Sequence, residues 1–172
     1  PASARTTLVQ AGPRILEQFD ASLSERGEKQ LGELGVVVMT GARVVGLDAR
    51  GVDLASGGRI QAATVIWTAG VRPSPLAASL GAPLDRSGRV IVAPDLSIPD
   101  HPEVFVIGDM AAFVQDGEAL PGVSPVAMQE GRAVARSIER SIRGLPRETF
   151  VYRDKGSMAT IGRSRAIAQI GR

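Results

Sequence analysis

The stretch Pro102-Glu-Val-Phe-Val-Ile-Gly-Asp-Met-Ala111 constrains the fold more than any other part of the chain. Val104 to Ile107 is a continuous apolar run, the pattern of a buried strand, and it ends in Gly108-Asp109. A carboxylate is thereby delivered just past a strand's carboxyl end, the edge at which open α/β sheets bind ligands. Glycine lets a ligand approach the backbone closely, and aspartate accepts hydrogen bonds from a polyol. The motif reads as a site for a sugar-like or nucleotide ligand. An aspartate that merely caps a turn fits the local pattern equally well.

A second feature is Thr64-Val-Ile-Trp-Thr-Ala-Gly-Val-Arg-Pro73, an apolar run entering the small residues Ala69 and Gly70. Around these two landmarks the elements alternate. Thr6 to Gln10 reads as a short buried strand followed by the turn Ala11-Gly-Pro13. Ser22-Leu-Ser-Glu25 has the form of a capping box, with Leu23, Gly27, Leu31 and Leu34 on one side of the helix and Gly35 at its end. Val36 to Met39 reads as a parallel strand buried on both faces. Three short strands follow, near 42–47, 51–54 and 59–61, with a hairpin turn at Gly57-Gly58. Thr64 to Ala69 reads as a strand that closes this unit. Leu76 to Leu80 is a short helical segment, and Arg89 to Ala93 a strand entering a second unit. Ser124 suits an N-cap with Pro125 at the first helical position, and Val126, Ala133, Val134, Ile138 and Ile142 form the helix's apolar face. Phe150 to Arg153 and Met158 to Ile161 read as two further strands.

Composition narrows the function. The chain has one Trp, one Tyr and four Phe, too few stacking platforms for single-stranded nucleic-acid binding. It has no cysteine, which excludes disulfides and thiolate chemistry within these 172 residues. The lone His101 lies in a predicted turn and reads as structural. From Arg132 to Arg172 there are ten basic and three acidic residues, a local +7, which leaves −5 on the rest of a chain of net charge +2. Arg132, Arg136, Arg140 and Arg143 fall at helical spacing; such a stripe faces an anionic surface or, more often, only solvent. No apolar run approaches the ~20 residues that span a bilayer.

Taken together, the two landmarks resemble the flavin-dependent pyridine nucleotide oxidoreductases. Ser124-Pro-Val-Ala-Met-Gln-Glu-Gly131 and Asp154-Lys-Gly-Ser-Met-Ala-Thr-Ile-Gly-Arg163 narrow the resemblance to the type II NADH:quinone oxidoreductases, the single-subunit respiratory NADH dehydrogenases. The resemblance covers nearly the whole chain. It implies an α/β fold of two Rossmann-like, three-layer dinucleotide-binding domains, both incomplete here. Residues 1–72 would be the second half of an NAD(P)H-binding domain, 73–88 a linker, and 89–172 the carboxyl-terminal part of an FAD-binding domain. No G-x-G-x-x-G phosphate loop occurs in either part. The chain is therefore expected to be a piece of a longer protein.

The resemblance also implies roles. Gly108 and Asp109 would hold the ribityl chain of FAD, and Ala69 and Gly70 would close the nicotinamide-nucleotide domain. The amides of Val126, Ala127 and Met128 would face the flavin's pyrimidine end, where a helix N-terminus stabilises the reduced flavin's negative charge. Gln129 would meet a quinone. The family pattern there is Ala-Gln-x-Ala-x-Gln, but Pro125 stands where the first glutamine belongs; a helix-edge amide is an equal reading of Gln129. Gln10 occupies the strand end where the family carries an acid for the adenosine ribose. Glutamine removes the charge that repels a 2′-phosphate, and Arg14 can assist one; a plain replacement of Glu by Gln fits equally. FAD and NADH are the implied cofactors. The implied partners are a quinone, the cytoplasmic face of a bacterial inner membrane as a peripheral surface, and a second copy of the protein. A soluble-acceptor flavin reductase and an inactive fragment are the alternatives.

Overall fold

The structure, a computed structural model, describes residues 4–170. The predicted domain ranges 1–72 and 89–172 extend at their outer ends onto residues outside that description. The described chain forms two compact units, one of residues 4–68 and 155–170, the other of residues 69–154. The sequence reading assigns 155–172 to the second part; the contacts group it with the first.

In the first unit, β1 (Thr6–Val9) and β2 (Val36–Met39) pair in parallel, Thr6 opposite Val36 and Val9 opposite Met39. The helix α1 (Ala21–Glu33) connects them. It starts at an Asp20 N-cap rather than at Ser22: the amides of Leu23 and Ser24 donate to the Asp20 carbonyl at 2.9 and 3.1 Å. Val37 is 47% exposed, so β2 is not covered on both faces as its apolar run predicts. The strands β3 (Val44–Asp48), β4 (Gly51–Leu54) and β5 (Arg59–Gln61) form the expected antiparallel meander. Arg59 ties it together by ion pairs to Asp48 and Asp53.

Residues 62–68 are not a strand. Ile66 is 80% exposed and Trp67 60%. The side chains are β-formers, but a strand is defined by ladder partners, and β-propensity measures packing against neighbours more than a backbone preference.

In the second unit, α2 (Leu76–Ser79) packs beside β6 (Val90–Ile91). Three strands come next: β7 (Ser97–Ile98), β8 (His101–Phe105) and, after the 3-10 turn Gly108–Met110, β9 (Ala111–Ala112). β6 runs parallel to β9 and β7 antiparallel to β8. The predicted strand at 104–107 thus begins earlier and ends at Phe105. Val106 is still buried, its amide donating to the Leu96 carbonyl at 3.0 Å. β10 (Val114–Gln115) and β11 (Glu118–Ala119) form a hairpin that precedes α3 (Ser124–Ile142). Val90, Ile98, Val106 and Ala111 make one core cluster; Leu96, Phe113 and Phe150 make another, with the two rings edge-to-face at 5.2 Å. The face that α3 buries is Val126, Glu130 and Ser137, while Ile138 and Ile142 are exposed.

The chain ends in the first unit with the antiparallel hairpin β12 (Ser157–Ile161) and β13 (Arg165–Gln169). Ile161 and Ile167 pack with Phe19, Leu16, Leu23 and Leu31, and Arg165 closes the contact with an ion pair to Glu33 at 2.5 Å.

Candidate functional site

The Gly108-Asp109 turn is built from three directions. Gly108 takes φ 65°, a left-handed conformation that glycine adopts without penalty. A Cβ there would make an ordinary contact with the Ala127 Cβ at 3.4 Å, so it is the left-handed backbone, not crowding by α3, that calls for glycine. The Gly108 amide donates to Oε2 of Glu130 at 2.5 Å. Glu130 is 1% exposed. Burial pushes its carboxyl above the ordinary 4.5; the Gly108 amide opposes that shift, and the nearby Asp109 charge adds to it. The Asp109 side chain is exposed, an acceptor presented to solvent. Gly122 leaves room for it: a Cβ at that position would lie 3.3 Å from Asp109 Oδ1.

Glu130 was not among the residues picked from the sequence. It was nonetheless visible: an acid four residues after Val126 on the apolar stripe of a helix is either paired or costly.

Val123, not Ser124, is the N-cap of α3. Its valine side chain has no oxygen with which to cap. The Val126 and Ala127 amides instead donate back to the Val123 carbonyl at 3.0 and 3.3 Å, and Pro125 has no amide. The amides of Val126 and Ala127, assigned by resemblance to the flavin, are thus engaged within the helix. Val126 is buried and Met128 exposed.

Gln129 is committed as well. Its Nε2 donates to the Arg153 carbonyl at 2.9 Å, and its Oε1 accepts from the Arg153 amide at 3.1 Å. Gln115 does the same to the preceding residue: its Nε2 donates to the Tyr152 carbonyl at 3.2 Å, and its Oε1 accepts from the Tyr152 amide at 2.8 Å. Two side-chain amides thus substitute for ladder partners along the predicted 150–153 strand, which pairs with no other strand among the described residues. Ala69 and Gly70 begin the second unit, both exposed, with Gly70 at φ 86°.

Gln10 lies where expected, immediately past the carboxyl end of β1 in the first unit. Its amide donates to the Met39 carbonyl at 2.8 Å. Its side chain donates to Oε1 of Glu17 at 3.0 Å. Arg14, expected to meet a phosphate, is turned to the backbone: Nη1 donates to the Phe19 carbonyl and to Ser24 Oγ, both at 2.6 Å, and Nη2 to the Glu17 carbonyl at 2.8 Å. Among the described residues no cluster of His, Cys, Asp or Glu has the form of a metal site.

A parallel β1-α1-β2 unit with a polar residue at its carboxyl edge and a glycine-aspartate turn held against a helix are features of nucleotide-binding oxidoreductases. Residues 2–131 match the family described as pyridine nucleotide-disulphide oxidoreductase, and the chain belongs to that family. It is 42% identical over 98% of its length to the type II NADH:quinone oxidoreductase Ndh of Mycobacterium tuberculosis, and 34% identical over 92% to that of Staphylococcus haemolyticus. It spans about two-fifths of those relatives: 38% of the first and 40% of the second. Among solved structures, NDH2 from Plasmodium falciparum in complex with NADH superposes with TM-score 0.80 at 13% identity, covering 96% of this chain and 50% of that one. A ferredoxin reductase from Rhodopseudomonas palustris superposes with TM-score 0.70 at 23% identity, covering 88% and 37%. These two structural likenesses establish the fold, the α/β architecture of the family.

Proposed function

We propose that the chain is part of a type II NADH:quinone oxidoreductase and contributes to it one edge of the NADH site and one wall of the FAD site. The observation that carries the reading is the identity of 42% along 98% of the chain with an enzyme of that name. In this reading residues 1–72 belong to the nicotinamide-nucleotide domain and 89–172 to the FAD domain, the stretch from Lys155 being one that folds within the first compact unit. Gly108 and Asp109 fit a ribityl chain, because the turn offers an exposed carboxylate beside a backbone with no Cβ in the way. Bound FAD would carry electrons from the nicotinamide to the acceptor. The chain's own residues do the rest: Asp109 accepts from hydroxyls, Glu130 fixes the peptide that carries it, and Gln10 borders the adenosine ribose. Ala69, Gly70 and Met128 border the cofactors, and Val126 and Ala127, whose amides are engaged with Val123, shape the start of α3 beside them.

The acceptor is a quinone and Gln129 lies at its site. The enzyme works as a homo-oligomer on the cytoplasmic face of a bacterial inner membrane. No helix among the described residues is long and apolar enough to cross a membrane, so attachment is peripheral or made elsewhere in the protein. Arg132 and Arg136 on α3 are exposed and available to an anionic surface, whereas Arg140 and Arg143 pair with Glu148 and Glu139.

A second reading, a flavin reductase with a soluble acceptor, is favoured by Pro125 and by the commitment of both polar ends of Gln129 to Arg153. One assay separates them. The full-length protein, purified with its flavin, is given NADH and either a short-chain quinone or a small iron–sulfur protein. Quinone-dependent NADH oxidation is expected. Turnover with the iron–sulfur protein alone overturns the quinone assignment.

A further inference from the structure

The strand-end glutamine has a carboxylate beside it that the strand's own sequence does not supply. Glu17 lies seven residues after Gln10, yet its Oε1 accepts from the Gln10 side chain at 3.0 Å. Gly12 makes that approach possible, since a Cβ there would overlap the Glu17 carboxylate. Leu16 reverses the chain in a left-handed conformation, φ 54°, and Arg14 pins the Glu17 carbonyl at 2.8 Å. Glu17 itself is exposed.

We propose that Glu17 is the specificity-determining residue of this edge: together with Gln10 it reads the free ribose diol of a nicotinamide dinucleotide and turns away a ribose bearing a 2′-phosphate. The proposal rests on the reading that the carboxyl edge of β1 and β2 takes such a dinucleotide. A carboxylate accepts from both hydroxyls of a cis-diol and repels a phosphate dianion. Gln10 alone accepts without repelling. The cation nearest in sequence, Arg14, spends its donors on Phe19, Ser24 and Glu17, so it is not presented to a phosphate. The edge therefore carries the acid's charge on a residue displaced from the acid's usual position.

The test uses the full-length protein and the oxidised dinucleotides NAD+ and NADP+, which bind without reducing a flavin. Dissociation constants are measured by calorimetry for wild type, Glu17→Gln, and Glu17→Gln combined with Gln10→Glu. Wild type is expected to prefer NAD+, and Glu17→Gln to narrow the NADP+/NAD+ ratio of dissociation constants by about tenfold. Adding Gln10→Glu should restore the preference by returning the charge to the strand end. If Glu17→Gln binds NAD+ with an unchanged ratio, or wild type takes both equally well, the role of Glu17 is overturned while the dinucleotide site stands. If wild type binds neither, the site reading falls and the proposal with it.

Discussion

At the scale of single residues, Asp109 and Glu130 divide one task. Asp109 presents its carboxylate to solvent, and Glu130 holds the Gly108 peptide from the buried side. Asp109→Ala in the full-length protein should remove charged hydrogen bonds to the ribityl chain. The loss should be roughly 1.5–3 kcal/mol, or about tenfold to a hundredfold in FAD affinity, with Asp109→Asn milder. Flavin content after gel filtration measures it, with circular dichroism as the folding control; unchanged content would reduce Asp109 to a turn cap. Glu130 behaves differently because it is buried. Its carboxyl titrates above the ordinary 4.5, so between that value and its raised one the native state holds more protons than the unfolded chain. Stability contributed by the neutral form is present below 4.5 and declines as pH rises through the raised value. Glu130→Gln should flatten that decline while still accepting from Gly108. Glu130→Leu leaves the Gly108 amide unpaired and should cost about 1–3 kcal/mol. Urea midpoints between pH 4 and 8 distinguish the two; a slope that survives in Glu130→Gln would assign it to another group.

At the scale of elements, the sequence was most legible where an element is stabilised by its own periodicity. Helices α1 and α3, the parallel β1–β2 pair and the β3–β4–β5 meander stand within a few residues of their predicted bounds. Segments whose conformation depends on partners far along the chain were not legible. Residues 64–69 and 150–153 have similar β-branched and aromatic character, yet neither is a strand. The second is extended by Gln115 and Gln129, and nothing in the local pattern says that a helix glutamine will serve as a ladder rung. Of the proposed site, Gly108 and Asp109 follow from position at a sheet edge, and Gln10 from the family resemblance. Glu130 and Glu17 act through contacts made 22 and 7 residues away, which no local spacing reveals. The paired hydrogen bonds of Gln115 and Gln129 also set a stability expectation. Gln129→Ala frees both backbone groups of Arg153 and should cost about 1–2 kcal/mol, and Gln115→Ala a similar amount at Tyr152. The two should be coupled, because either one alone keeps the segment partly fixed. Denaturant midpoints of the single and double variants measure the coupling; strict additivity would mean that the two glutamines hold independent segments.

At the scale of the whole molecule, the described chain buries its core in two units and leaves apolar surface over. In the first unit Val45, Leu47, Ile66 and Trp67 are all more than half exposed. Among the described residues the first unit's parallel sheet has two strands, fewer than the three or more that a stable isolated sheet requires. The chain spans about two-fifths of the relatives it matches, and neither its first nor its second unit contains a G-x-G-x-x-G loop. The loop amides and helix N-terminus that grip a pyrophosphate are the main anchor for a dinucleotide. In the proposed reading Asp109 and Gln10 would address only hydroxyls, which contribute about 1–3 kcal/mol each, against the ~8 kcal/mol that micromolar binding needs. The 172-residue chain purified by itself should therefore be colourless. It should also self-associate through sheet edges and exposed β-formers. The single Trp67 reports on this, since an exposed indole emits at long wavelength and shifts to shorter wavelength when a second copy covers it. Emission should move to the blue as concentration rises, in step with the mass measured by light scattering. A yellow monomer, with flavin absorbance that survives gel filtration, would show that the edges here suffice to hold the cofactor and that the phosphate loop is not its principal anchor.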